Sequence, residues 1–326
     1  MNVLYTFDVE VYFGTSGSTK ISVYENTMKI IETLNSSNVT GIFFIDATHM
    51  FYSFMKGENN ITDLYLKLIK KLREFNHDIG LHLHPHWLDA KGSDPTYEFQ
   101  QLDNYSTGYV ATQNSEILND IISNFINIVK NTDPTYNVNI FRAGGYCAQP
   151  PHKLFTILAQ HGIWIDSSVV PQMSCDSPPF QFDYSEIKSS DPYFFKWDNA
   201  ISDREGTFIE LPVFSFRLSA ARRIFEKFKR VKNKKYAAYS EGKGLSFSNK
   251  IHKKLSSTYK ILTTDDSDLQ DFEYALNNTV NTSIIVVNHP KLLSEQGLIN
   301  LKAVTQKYPG ITLSQLTNQV TEANID

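Results

Sequence analysis

The sequence predicts an α/β fold built on a mostly parallel sheet with helices outside it. Strand-like and helix-like segments alternate along almost the whole chain. Polar, chemistry-bearing residues follow several strands directly, where parallel α/β folds build sites, at a barrel mouth or a switch point. Hydrophobic residues make up 41% of the 326 residues and charged residues 20%, so a large core can be buried.

Residues 2–7 read as a short buried strand. Ser22 and Glu25 have capping-box spacing and open an amphipathic helix through Met28, Ile30, Ile31 and Leu34. Residues 41–45 form a second strand. Residues 61–75 form a helix with lysines between its leucines. Residues 78–81 form a third strand, and 117–129 a long apolar-periodic helix. Strand 138–141, helix 154–159 and strand 163–165 follow. Residues 171–203, rich in Pro, Ser, Asp and aromatics, read as a long loop over the site. Residues 207–216 read as a strand interrupted at Pro212. A clear late strand covers 284–287, and a last helix 298–304.

The net charge of −4 argues against a globally basic nucleic-acid binder. The N-terminus lacks the pattern of a secretory signal, and no apolar run approaches the roughly 18 residues of a transmembrane helix. Two cysteines, Cys147 and Cys175, are no disulfide framework. These features predict a cytoplasmic protein. One segment departs from the acidic average: residues 222–260 hold thirteen Lys/Arg against Glu226 and Glu241, a charge of +11 that leaves −15 for the rest. It reads as an insertion, at about 217–262, in a single catalytic domain spanning 1–326. Ile224, Phe228 and Val231 fall on one helical face among the cations, which suits an anionic membrane surface or docking on the fold.

Strand 1 ends in Thr6-Phe7-Asp8-Val9-Glu10. Residues two apart on a strand share a side, so Asp8 and Glu10 face one space. Strand 3 runs into His82-Leu83-His84-Pro85-His86, three of the chain's nine histidines within five residues. Imidazole is a common metal ligand, and period-two spacing does not decide which of the three would ligate. Strand 4 ends in Arg142, followed by Gly144-Gly145-Tyr146, where paired glycines permit a tight turn and close backbone approach. Strand 5 ends in Asp166, and the late strand in Asn288-His289.

Together these segments resemble the polysaccharide deacetylase family, the NodB-homology carbohydrate esterases of family four. TFDVE, HLHPH, FRAGGY, IDSSVVP and VVNHP stand for its motifs in order and span residues 6–290. The resemblance implies a distorted (β/α) barrel with long loops over its C-terminal mouth, and metal-dependent hydrolysis of an amide on an amino sugar. By position, Asp8 matches the catalytic base, Glu10 the metal carboxylate, His82 and His86 the histidine ligands. Arg142 matches the arginine that orients the base, and His289 the general acid, with Asp166 as its orienting partner. His84 has no family role at its position and is expected behind the ligands. The oxyanion donor lies between Gly145 and Tyr146. Glu10 stands two after the base where adjacent aspartates are usual, and Gly144-Gly145 replace a usual proline.

The implied cofactor is a divalent metal, zinc first, with iron, cobalt or manganese accepted by the same ligand types. The expected substrate is an N-acylated, first N-acetylated, amino sugar of bacterial-type surface-glycan biosynthesis, carried on a nucleotide or a lipid. N-deformylation of a lipid-linked amidosugar is the alternative. A non-haem iron oxygenase also uses two histidines and a carboxylate, but Asp8 and His289 argue against it. A glycan binder on an inactive scaffold would need none of these residues together. No nucleic-acid partner is expected, and a peripheral position at the inner membrane face would follow from residues 222–260. Trp87, Tyr105, Tyr109, Trp164 and Trp197 are candidate sugar-stacking residues, and Cys147 is expected to pack.

Overall fold

In a computed structural model, residues 1–99, 106–177, 180–219, 233–244 and 258–325 are described, with Ala221, Arg222, Ile224 and Phe228 besides. The first five strands are β1 (Asn2–Val9), β2 (Ile42–Asp46), β3 (Asp78–Leu83), β4 (Ile140–Ala143) and β5 (Ile165–Asp166). They are followed by β6 (Ser174–Ser177), β7 (Phe180–Asp183), β8 (Tyr193–Phe195), β9 (Phe208–Glu210), β10 (Ser215–Leu218), β11 (Thr258–Ile261) and β12 (Ser283–Asn288). The main sheet has the order β12-β1-β2-β3-β4-β5-β9-β8, parallel except for β8 at its edge. Beyond β9, Val213 bridges in parallel to Ile285 of β12, and the Phe214 N–H donates to the Ile285 carbonyl at 2.9 Å. The sheet therefore curls back on its first strand as a distorted barrel.

Crossover helices cover it: α1 (Asn26–Ser36), α2 (Ala47–Met55), α3 (Asn59–Glu74), α4 (Thr107–Gln113), α5 (Ser115–Thr132) and α6 (Pro151–Gln160). The C-terminal part adds α7 (Leu269–Asn277), α8 (Glu295–Lys307) and α9 (Leu313–Ile325). The central strands are apolar and buried along their length, as sheets covered on both faces require. Phe7 and Phe43 stack across β1 and β2 with centroids 4.7 Å apart.

Strand register sets the site. Asp8 lies opposite Phe44, His82 opposite both Asp46 and Arg142, and Phe141 opposite Asp166. The C-terminal ends of five strands thus come level and deliver their polar residues to one mouth.

Several sequence readings change. The first helical segment starts at Lys20, in a π-helical turn (Lys20–Glu25) that leads into α1, and Ser22 is buried inside it without capping it. Glu25 instead pairs with Lys20 at 2.9 Å, and Asp94 accepts the Thr19 N–H at 2.7 Å. Residues 171–203 are not one loop: β6 and β7 form a hairpin and β8 joins the main sheet. Residues 207–216 split around Pro212 into β9 and the start of β10. β10 and β11 pair antiparallel, Ser215 opposite Ile261, so the basic run leaves from and returns to one strand pair. Helices α2, α4, α7 and α9 are additional to those expected. Among the described residues no helix is long and apolar enough to cross a membrane.

Candidate active site and metal centre

Asp8 and Glu10, at the end of β1, are buried yet ionised for different reasons. Burial alone would raise the Asp8 pKa, but the Arg142 guanidinium foremost, with His82 and His289, holds it below the usual carboxylate range. Arg142 is fully buried. One nitrogen donates to Asp8 Oδ1 at 2.6 Å and to the Thr6 hydroxyl at 3.0 Å, while Nε donates to the Ser167 carbonyl at 2.8 Å. Its remaining nitrogen donates to Ser167 Oγ at 2.9 Å, and its plane lies 4.2 Å from the Phe44 ring centroid. Four hydrogen bonds fix the direction of the Arg142 guanidinium, so Asp8 is held anionic and aimed.

Glu10 meets Lys291, whose Nζ lies 2.6 Å from Oε1. Burial raises its pKa, and Lys291, His84 and His82 together bring it well below the ordinary range. Its other oxygen, Oε2, contacts His84 Nε2 and lies 3.4 Å from His82 Nε2. The two Nε2 atoms are 3.0 Å apart. Ligand atoms of Glu10, His82 and His84 thus lie within 4.8 Å of one another, all buried. His82 Nδ1 faces the Arg142 carbonyl at 2.7 Å, which fixes that nitrogen as a donor and turns Nε2 toward Glu10; burial lowers the His82 pKa, but the Glu10, Asp8 and Asp46 carboxylates raise it above the usual imidazole value. Two imidazole nitrogens and a carboxylate oxygen converging in a buried space form a donor set that suits a divalent cation.

The histidine assignment therefore shifts. His84, expected behind the ligands, supplies a donor atom, whereas His86 is not among the converging donors. After Leu83 the strand ends and the chain enters a 3-10 turn (Pro85–Asp89), so the two-residue period no longer holds. The His86 ring stacks on Phe13 at 4.6 Å and lies 5.6 Å from Phe180. Burial holds its pKa well below the usual imidazole range.

His289 follows β12. Its Nε2 lies 3.7 Å from Asp8 Oδ2 and 4.0 Å from Glu10 Oε1. Its partner on the other side is Asp265, 3.6 Å from Nδ1, which also accepts the His289 backbone N–H at 3.0 Å. Asp166, expected in that role, is elsewhere. It accepts from Ser168 Oγ at 2.6 Å and from Asn199 Nδ2 at 2.8 Å, and lies opposite Glu210. Neither Asp265 nor Lys291 carries a local sequence signal; only the tertiary fold brings Asp265 to His289, while Lys291 stands two residues beyond it.

Gly145 and Tyr146 both have positive φ, 59° and 64°. A Cβ on Gly145 would come 2.5 Å from the Phe180 ring, so only glycine fits between the turn and β7. Both residues line the site, a cavity of about 190 Å³ that also takes in Phe13, Phe180 and Lys291. The Gly145 carbonyl accepts from Cys147 Sγ at 3.3 Å, and burial pushes that thiol up to about 12. Cys147 thus packs as expected. Trp87 is buried with its N–H on Asp46 at 2.8 Å, and Trp87, Tyr109, Trp164 and Trp197 do not line this cavity. Tyr105 lies outside the described residues.

A Mycobacterium smegmatis protein described as a polysaccharide deacetylase superposes with a TM-score of 0.54 at 14% identity, over 98% of this chain and 90% of that one. The fold is that of the polysaccharide deacetylases. A family 4 carbohydrate esterase from Streptomyces lividans aligns over 94% of this chain and 86% of its own at 8% identity, with a TM-score of 0.39. The same fold also carries other chemistry. A 4-alpha-glucanotransferase from Thermococcus litoralis superposes at 0.52 and 11% identity, over 98% of this chain but 40% of its own. No protein-family model matches the chain, and no curated protein matches it. The fold alone therefore assigns no activity; the chemistry of the site does.

Proposed function

We propose that the protein is a metal-dependent hydrolase that removes an N-acyl group, N-acetyl first, from an amino sugar during assembly of a bacterial-type surface glycan. The observation that carries this reading is the pairing of a braced carboxylate, Asp8 on Arg142, with the Glu10–His82–His84 donor group, and His289 3.7 Å from Asp8. Glu10, His82 and His84 would hold a divalent ion, zinc first, which supplies a Lewis acid that polarises the amide carbonyl and makes water more acidic. Asp8 takes the proton of the attacking water, since Arg142 keeps it ionised and oriented. A backbone N–H at Gly145 or Tyr146 faces the developing oxyanion. His289, aligned by Asp265, gives its proton to the departing amine. The amino sugar is carried on a lipid or a nucleotide, and the reaction takes place in the cytoplasm.

The test is the Asp8→Asn protein loaded with zinc. It should keep its metal and its fold, yet release acetate from N-acetylated amino sugars about 10²–10⁴ times more slowly. Near-normal turnover would sink the assignment of Asp8 as base.

A further inference from the structure

β2 ends in Asp46, a fully buried carboxylate beside the donor group that the mechanism above does not use. The strand lies between β1, which leads to Glu10, and β3, which carries His82. Val9 pairs with Ile45 and His82 with Asp46, so Glu10, Asp46 and His82 come level on three neighbouring strands. Both Asp46 oxygens nevertheless accept from N–H donors, Oδ1 from the His49 backbone at 3.1 Å and Oδ2 from the Trp87 indole at 2.8 Å. Burial raises the Asp46 pKa, and the nearby His84 and His82 hold the rise back. Asp46 is also the N-cap of α2, and the first turn of that helix meets the histidine segment at two further points. The Thr48 hydroxyl accepts the His84 backbone N–H at 3.1 Å, and the His49 ring stacks on Trp87 with centroids 3.8 Å apart and planes within 1° of parallel.

We propose that Asp46 is a positioning residue of the metal centre: it binds no cation itself but, with Thr48, clamps residues 84–87 to the start of α2 so that His84 meets Glu10. The inference rests on reading Glu10, His82 and His84 as the ligands of a cation. His82 lies within β3 and is paired on both sides, so the sheet itself aims it. His84 lies beyond Leu83, the last residue of β3, and the chain turns at once into Pro85–Asp89. No strand ladder holds it there. The clamp takes over that work: Thr48 holds the His84 backbone, Asp46 and His49 hold Trp87 on the far side of Pro85, and Phe13 stacks 4.3 Å from the His84 ring. His84 Nε2 is thereby left facing Glu10 Oε2. Groups behind metal ligands commonly set about 10–100-fold in metal affinity, because a ligand must be held in direction as well as in place.

The test measures the zinc Kd of the full-length protein by competition with a chromogenic chelator, and the visible spectrum of its cobalt(II) form. Asp46→Asn keeps a good helix cap but turns an NH2 group on one of the two donors. It should bind zinc about 10–100-fold more weakly and shift the cobalt spectrum. Trp87→Phe, which removes the indole N–H, and Thr48→Val, which removes the acceptor for His84, should do the same, while Thr48→Ser should restore the parental Kd. Tyr65→Phe is the control: it removes a hydroxyl 2.8 Å from His49 Nδ1 in the same buried cluster, and should lower the melting temperature without moving zinc affinity or the spectrum. Parental zinc affinity in Asp46→Asn, or in both Thr48→Val and Trp87→Phe, overturns the proposal. So does an equal loss in Tyr65→Phe, which would mean a loosened core and not a clamp. If Asp46→Asn does not fold, the Thr48→Val and Thr48→Ser pair decides. Acetate release from N-acetylated amino sugars is followed on the same proteins. Zinc binding without acetate release would discard the hydrolase and keep the clamp, and acetate release with parental zinc affinity in the variants would do the reverse. A parent that binds no zinc would discard the ligand set and the clamp together.

Discussion

Asp8 and Glu10 are the same chemistry on the same side of one strand end, and the cation each one meets divides their work. Arg142, itself held by three hydrogen bonds to Thr6 and Ser167, donates to Asp8 Oδ1 from a fixed position, which suits a base that must not wander. Lys291 takes one oxygen of Glu10 and leaves the other toward His82 and His84. A ligand swap among the histidines follows. His84→Ala and His82→Ala should each lose most bound zinc by elemental analysis, while His86→Ala, which removes a ring stacked on Phe13, should keep most of it. Full zinc in a His82→Ala/His84→Ala double variant would discard the ligand set. Part of this site is legible in the sequence, because strand geometry alone puts Asp8 and Glu10 on one side and brings Arg142 to a strand end. The histidines are not legible to the same depth: period-two spacing applies up to β3's last residue, Leu83, and past the turn at Pro85 it no longer places His86, whose ring lies 5.6 Å from that of His84. Asp265 stands 24 residues before His289, and no local pattern links the two.

At the scale of elements, β5 and β9 bring two buried carboxyls together. Asp166 and Glu210 lie opposite each other, and both are pushed above the usual range, Asp166 by burial and Glu210 by burial and then the Asp166 charge. Two buried carboxyls this close favour sharing a proton. Glu210 Oε1 accepts the Val169 N–H at 3.1 Å, and Ser168 Oγ links Asp166 to the Ala143 N–H. The pair therefore braces residues 167–169, and Ser167 in turn holds Arg142. The sign of its pH effect follows from the raised pKa. Glu210 contributes fully below its unfolded-state pKa, and the contribution is lost as pH rises toward its folded-state value. Glu210→Gln keeps an acceptor for Val169 and a donor for Asp166 without titrating. Its melting temperature relative to the parent should rise by on the order of a few degrees between about pH 4 and pH 8. A constant difference across that range would show that Glu210 does not titrate there. Sequence reading found β5 and the residue Asp166 but gave it the wrong neighbour, because cross-strand register is a long-range property. Alternation of strands and helices was readable because each parallel strand is a short apolar run; the hairpin β6–β7 and the edge strand β8 were not, since strands of three or four residues that are partly exposed carry no such signal.

For the whole molecule, the separation of charge is the feature left to explain: +11 in residues 222–260 against −15 in the remainder. Several of the described cations serve the fold. Arg222 pairs with Asp271 at 3.0 Å and stacks 3.9 Å from the Tyr274 centroid, Lys235 holds Glu295, and Lys260 holds Asp266. Yet Ile224 and Phe228, helical and four apart, are 50% and 63% exposed, more than packing on the barrel would allow. The sequence sets Arg223, Lys227, Lys229 and Arg230 around them. An exposed apolar pair among cations suits an anionic lipid surface, where each cation contributes on the order of 1 kcal/mol and the attraction is screened by salt. The full-length protein should co-sediment with vesicles containing phosphatidylserine at low salt, less so at high salt, and not with vesicles of phosphatidylcholine alone. Replacing Arg223, Lys227, Lys229 and Arg230 by glutamine should abolish that sedimentation while leaving zinc content and acetate release from soluble sugars unchanged. Failure to sediment at low salt would remove the membrane from the account and leave the run to its internal ion pairs. A loss of soluble-sugar turnover in the same variant would instead place these cations on the path of the substrate.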